Sequence, residues 1–236
     1  MSSYLLAINT AQATYELALL EEGPSGFALL GEHRWVGERN AVETLLPHLV
    51  ELLEETGLSK KELQKIVVVQ GPGSFSSVRS GVAFANALAE GFKVSLYELN
   101  TFQLIERKAA TKEPLFVILP AGGLDAGIYQ ADPAQWGTGQ IKMGRLSDLL
   151  AEHPHKPSQR IAYELNETLS AELHSIMFEK KWRPLEAHEL QTFGESFLTI
   201  GLDGLSLLKE NSWVEAFYLK GPKITLSQDP WKQPNA

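Results

Sequence analysis

The chain has 236 residues, 44% hydrophobic and 21% charged, enough for one or two domains with a real core. Its 21 Lys and Arg are scattered and outnumbered by 29 Asp and Glu, giving a net charge of −8, so it lacks the basic footprint of a protein that holds a phosphate backbone unaided. It has no cysteine, which excludes disulfides and thiolate metal sites; with no membrane-length apolar run and no secretory pattern in MSSYLLAINT, a cytoplasmic protein is expected.

Three β-like runs open the chain, Tyr4–Asn9, Tyr15–Leu20 and Phe27–Val36, with gaps short enough for an antiparallel meander. Asn40-Ala41-Val42-Glu43 reads as an N-cap with a capping-box acid. Val42, Leu45, Leu46, Leu49, Leu52 and Leu53 follow at helical spacing, and Gly57 ends the helix. Turned at about 100° per residue and joined by Val50, they cover roughly 160° of helix surface, broad for a helix with one neighbour. Pro47 inside this helix should bend it. Ile66–Val69 reads as a strand buried on both faces. From it, VVVQGPGSFSSVRSGVAFANALAEG runs through a Gly-Pro-Gly turn into a helix reaching about Glu90, and Lys93–Tyr97 is the next strand. The order then restarts with Leu115–Leu119, Gly127–Ala131 and Gln140–Met143, a helix at Ser147–Glu152, a strand at Arg160–Tyr163 and a helix from Asn166. Helical spacing returns at Leu190, Phe193, Phe197 and Ile200, ending near Lys209, and Val214–Leu219 reads as a last strand. Two β-β-β-α-β-α units in tandem point to a duplicated α/β fold. The expected division is an N-terminal domain over 1–100, a shorter C-terminal domain over 101–220 and a loose tail over 221–236, rich in Pro, Gln and Asn.

Gly71, Pro72, Gly73, Ser74, Phe75 and Arg79 are the candidate loop for an anion or nucleotide, because backbone N–H groups after a glycine-rich turn at a helix N-terminus attract phosphate. Ser74 could cap that helix and Arg79 could add charge. The competing reading is a tight strand-to-helix corner. No lysine follows Gly73, as a P-loop requires, and the full G-x-G-x-x-G is absent.

GPGSFSSVRSGVA resembles the GPGSFTGLRIGLA signature of the bacterial TsaB (YeaZ) family, subunits of the machinery that makes N6-threonylcarbamoyladenosine in tRNA. YLLAINTA resembles the family's opening ILAIDTS strand, and RNAVETLLPHLVELLEETGLSKKEL its HSERLLPLIDELL helix and the segment after it. AGGLDAGIYQAD is similar to its DARRGEVYAALY hairpin and EAFYLKGPKIT to its P-x-Y-x-R ending, so the matches run in order from Tyr4 to about Thr225. The resemblance implies the actin-like ATPase (ASKHA) fold. It implies a non-catalytic scaffold subunit that positions TsaD, the ATP-dependent transferase that uses a threonylcarbamoyl-adenylate donor, with TsaE as an ATP-hydrolysing third partner and tRNA met only indirectly. Five positions depart from the family pattern: Asn9 stands where an acid commonly organises metal and phosphate, Ala41 replaces a histidine, Gly122 an aspartate, Ser77 a glycine and Ser80 an isoleucine. Asn9 is a poor Mg²⁺ anchor. The expectation is a corner loop with no resident cofactor, any residual ATP or ADP affinity being weak and belonging to the complex. The alternatives are a free-standing actin-like kinase or ATPase, and an interaction protein that has left the tRNA pathway.

None of the six histidines forms H-x-x-x-H or H-E-x-x-H, and His153-Pro154-His155 reads as a solvated loop, so no metal site is expected. Ser74 and Ser76 have no histidine close in sequence, and no catalytic residue is assigned. The expected partner surface is Leu45, Leu46, Leu49 and Val50 on the first helix with the stripe Ser77, Ser80, Phe84 and Ala87 on the second, Phe84 as its anchor; the alternative is that this stripe packs on the first helix of the same chain. On that second helix, Arg79, Asn86 and Glu90 should face water. Alone, the chain is expected to self-associate through the first helix.

Overall fold

A computed structural model describes residues 3–38, 40–131, 136–153, 159–165, 167–198 and 208–220. The expected tail 221–236, Asp132, His155, Asn166, Trp231 and any helix between 199 and 207 lie outside the described residues.

Strands β1 (Ser3–Asn9), β2 (Thr14–Gly23) and β3 (Gly26–Val36) form the antiparallel meander, and β4 (Leu63–Val69) and β5 (Ser95–Leu99) extend it in parallel through β1. Helix α1 (Ala41–Thr56) links β3 to β4, and α2 (Phe75–Phe92) links β4 to β5. The second sheet repeats the plan with β6 (Leu115–Gly122), β7 (Asp125–Gln130), β8 (Gln140–Arg145), β9 (Arg160–Tyr163) and β10 (Arg183–Pro184). Its order, β10-β9-β6-β7-β8, matches the β5-β4-β1-β2-β3 of the first. Helices α4 (Leu146–Ala151) and α5 (Glu167–Lys180) occupy the places of α1 and α2. The tandem α/β architecture read from the sequence is therefore present.

Alternation explains the layers. Along β6, Phe116 and Ile118 point to a core under α4 and α5, while Leu115, Val117 and Leu119 point to a second core on the other face. Ile66 to Val69 are buried throughout in β4, between β1 and β5, each worth about 1.5–3 kcal/mol of burial.

Three elements differ from the sequence reading. A helix, α3 (Thr101–Ala109), follows β5, started by a box in which the Asn100 side chain accepts from the Gln103 N–H and Gln103 accepts from the Asn100 N–H. It faces two ways: Leu104 enters the core of the first sheet, Phe102 and Ile105 that of the second. Its counterpart α6 (Phe193–Leu198) packs on β2, β3 and α3. The helix expected near Lys209 gives way there to a strand, β11 (Lys209–Asn211), antiparallel to β5. The last expected strand, Val214–Leu219, makes no ladder with any of the described residues. Its backbone is held by side-chain and point contacts: Asn86 Nδ2 donates to the Val214 carbonyl, the Val214 N–H donates to Asn86 Oδ1, both at 2.9 Å, and the Phe217 N–H donates to the Gln70 carbonyl at 2.7 Å. Asn86, expected in water, is buried for that reason. The caps expected from side chains are also absent: neither Asn40 nor Ser74 makes a side-chain cap hydrogen bond, so the predicted box at Asn40–Glu43 does not form.

Candidate functional site

β1 and the loop after β4 end at the same place, beside the opening between the two sheets. The first strand's end is closed by polar pairing. Asn9 is fully buried; its Nδ2 donates to Glu16 Oε2 at 2.8 Å and Gln12 Oε1 at 3.0 Å, and its Oδ1 accepts the Ala11 N–H at 3.0 Å. Glu16 projects from β2 with 1% exposure, and Lys108 of α3 reaches it with Nζ at 2.9 and 2.8 Å from its two oxygens. Arg34 Nε of β3 adds a contact at 3.3 Å. Asn9, Lys108 and Arg34 together satisfy this carboxylate, which is how a buried charge becomes tolerable. Glu16 is thereby taken, and Asn9 supplies only a neutral amide already engaged. The residues present do not fit a Mg²⁺–nucleotide anchor.

The loop's glycines are explained by backbone approach. A Cβ on Gly73 would collide with the Ala11 carbonyl, one on Gly71 (φ +105°) with the Phe217 carbonyl, and one on Gly81 with Thr10 Oγ1. Thr10 Oγ1 donates to the Ser77 carbonyl at 2.7 Å, locking the first turn of α2 to the end of β1. The Thr101 N–H and hydroxyl donate to the Gly71 and Pro72 carbonyls at 2.8 and 2.7 Å. Phe75 packs on Tyr218 with ring centroids 4.5 Å apart, and Arg79 lies on an exposed turn of α2.

The opening has two lobes. One, of about 360 Å³, is lined by Glu16, Arg34, Lys108, Tyr163 and Gln191. The other, of about 350 Å³, is lined by Gly73, Ser74, Ser77, Thr101 and Pro120. Gln12, Ala13 and Glu164 border both. Glu164 is exposed along this void; crowding by the surrounding protein pushes its carboxyl above the usual range, against the hydrogen bond from Gln12 and the attraction of Lys108.

A sequence model of the family described as "TsaD: tRNA N6-adenosine threonylcarbamoyltransferase" matches residues 36–186, more than half of the chain. The chain belongs to this family. TsaB of Bacillus subtilis, a tRNA threonylcarbamoyladenosine biosynthesis protein, is 27% identical over 150 residues, covering 63% of this chain and 60% of that one. TsaB of Escherichia coli is 27% identical over 117 residues, covering 50% and 48%. The matches thus span between about half and three fifths of those relatives' length. A solved Pseudomonas aeruginosa protein with similarity to peptidase YeaZ shares the fold at a TM-score of 0.70 and 21% identity, over 92% of this chain and all of that one. The chain is a divergent TsaB/YeaZ member of the family.

Its departures from the TsaB pattern have local causes. Ser77 is buried, its Oγ 2.6 Å from the Tyr15 hydroxyl. Ala41 is buried at the start of α1, and Gly122 has φ +93° in the β6–β7 turn, a conformation an aspartate adopts only with strain. The expected partner surface divides. Leu45 and Leu49 are 1% and 2% exposed and belong to the core; Ser77 is buried too, so these three cannot present themselves to a partner. Phe84 is half-buried against the first core, Ser80 donates to the Ser76 carbonyl at 2.9 Å, and Ala87 is exposed. Leu46 and Val50 stand out at 54% and 47% exposure, and Val42, missed as a surface residue, at 77%. Trp182 is buried against Phe116, whereas Trp213 is exposed.

Glu16, Lys108, Arg34 and Glu164 were not singled out from the sequence. Glu16 was the findable one: a lone acid at an inward position of the apolar run TYELALL.

Proposed function

We propose that this chain is a non-catalytic partner of a TsaD-type transferase in the formation of N6-threonylcarbamoyladenosine in tRNA, working in the cytoplasm. The observation that carries the partner role is the apolar stripe Val42, Leu46 and Val50, spaced i, i+4, i+8 on α1 and open to solvent while Ala41, Leu45, Leu49 and Leu52 hold the same helix to the core. With Phe84 and Ala87 on the adjoining α2, it offers a helix-pair surface of the kind that seats another helix. The same stripe accounts for the expected homodimer when the partner is missing. The TsaE-type ATPase and the tRNA meet the transferase rather than this acidic chain.

The closed Asn9–Glu16–Lys108 cluster supports the non-catalytic half of the reading, since the carboxylate at the end of the first strands is already held by the chain's own donors and is not open to Mg²⁺. The GPGSF loop serves as a corner that fixes α2 on β1 and α3. Reconstitution tests this: the chain, a TsaD-type transferase, a TsaE-type ATPase, tRNA and donor should yield the modified nucleoside, omission of the chain should stop multiple turnover, and the chain alone should hydrolyse no ATP. ATP turnover by the chain alone, abolished by altering Ser74, would instead favour an actin-like enzyme.

A further inference from the structure

We propose that His33, His48 and Glu51 bind a zinc-class divalent metal ion, with Glu55 as the positioning residue for His33. His33 comes from β3, the edge strand of the first sheet, and the others from α1. His33 Nδ1 and His48 Nδ1 face each other at 3.3 Å, and Glu51 Oε2 lies 4.0 and 3.8 Å from them. An ion held tetrahedrally at about 2.0–2.1 Å sets its ligand atoms roughly 3.3 Å apart. The imidazole pair already has that spacing, and Glu51, an exposed side chain, needs to close by only about half an ångström. A second observation is independent of this spacing. The far nitrogen of His33, Nε2, lies 2.9 Å from Glu55 Oε2. A carboxylate only accepts, so Nε2 carries the proton and Nδ1 turns its lone pair inward, the carboxylate–histidine–metal arrangement that orients zinc ligands. His48 is held too: its ring stacks on Trp35 at 3.9 Å, and Trp35 Nε1 donates to Thr44 Oγ1 at 3.2 Å. Two imidazoles and one carboxylate suit zinc and its neighbours better than Mg²⁺ or Ca²⁺, and three protein ligands leave a fourth position for water. The ion would clamp α1 to the sheet edge. The inference does not rest on the proposed function.

The test uses the untagged full chain and zinc chloride, followed by calorimetry, with Co²⁺ absorption as a coordination readout. One equivalent should bind, with the cobalt spectrum of a four-coordinate nitrogen–oxygen site. His33→Gln and His48→Gln should each abolish that equivalent, His174→Gln should not, and Glu55→Gln should weaken it by about 10-fold or more. In Glu55→Gln the His33 imidazole ¹⁵N shifts should also show loss of the fixed Nε2–H tautomer, a change that a purely structural role for Glu55 would not produce. If His48→Gln fails to fold, the ¹⁵N spectrum of the parent decides: zinc should move the Nδ1 signals of His33 and His48 together. No heat from a folded parent, or binding that survives His33→Gln, overturns the site.

Discussion

Replacing Asn9 by aspartate restores the acid that actin-like enzymes carry at the end of their first strand, and here it should damage the protein. Asn9 Nδ2 lies 2.8 Å from Glu16 Oε2, so Asn9→Asp sets two buried carboxylates at hydrogen-bond distance and removes a donor. Two unit charges 2.8 Å apart repel by roughly 6 kcal/mol at an effective dielectric of about 20. The pair can avoid this by sharing a proton. Taking one up at about pH 7, against an ordinary carboxyl pKa near 4, costs roughly 4 kcal/mol. The cheaper route wins, and the shared proton restores an O–H···O hydrogen bond, so the expected loss at about pH 7 is roughly 4 kcal/mol. The sign of its pH dependence follows. The pair's folded pKa is raised, so the folded variant binds the extra proton that the unfolded chain releases, and the penalty shrinks by about 1.4 kcal/mol per pH unit on acidification. Urea unfolding of parent and variant at several pH values measures both slope and size. Lys108 already occupies the far side of Glu16, so Mg²⁺ should not rescue the variant. A variant as stable as its parent at neutral pH, or one that Mg²⁺ selectively stabilises, would refute the closed-cluster argument.

Lys108→Met leaves the Glu16 carboxylate to Asn9 and the half-exposed Arg34 and should cost about 3 kcal/mol, and Glu16→Gln in the same chain should recover much of that, as read from a double-mutant cycle of unfolding free energies. Glu164→Gln should raise the melting temperature at about pH 7 and leave it unchanged near pH 4, because a carboxyl whose folded pKa is raised costs stability only once ionised; a larger gain in acid would contradict the assignment. Asn86→Ala unpairs both backbone groups of Val214 and should lower stability by about 2–4 kcal/mol while hydrogen exchange quickens from Val214 to Leu219. Unchanged exchange there would mean the clasp is not what holds that segment.

The parts of the fold that sequence reading reaches are those whose signal is local. The meander, the buried run Ile66–Val69 and the repeat of the unit all rest on period-two or period-3.6 patterns within one element. α3 escaped because it has only nine residues, too few turns for its buried face to stand out as a repeat, although Asn100-x-x-Gln103 was a usable start signal. Val214–Leu219 has strand-like composition, but its backbone partners are a side chain 128 residues away and a loop carbonyl, contacts that leave no periodic trace. The site shows the same limit. The glycines of the loop were conspicuous, yet their reason, the Ala11 and Phe217 carbonyls, lies on other elements. Lys108 and Glu16 sit 92 positions apart, and His33 and His48 come from a strand and a helix, beyond any spacing rule for helical ligand pairs. The broad apolar arc of α1 was legible; its division into a core face and an open stripe was not, because it depends on where the sheet ends.

The affinity of the chain for the TsaD-type transferase of its own cell, measured by calorimetry for the parent and for Leu46→Glu, tests the account most directly. Leu46 is more than half exposed, so the variant should keep its melting temperature. The account predicts one-to-one binding by the parent and a loss of about 2 kcal/mol or more, roughly 30-fold, in the variant. No complex with the transferase, or equal affinity for parent and variant, would contradict it.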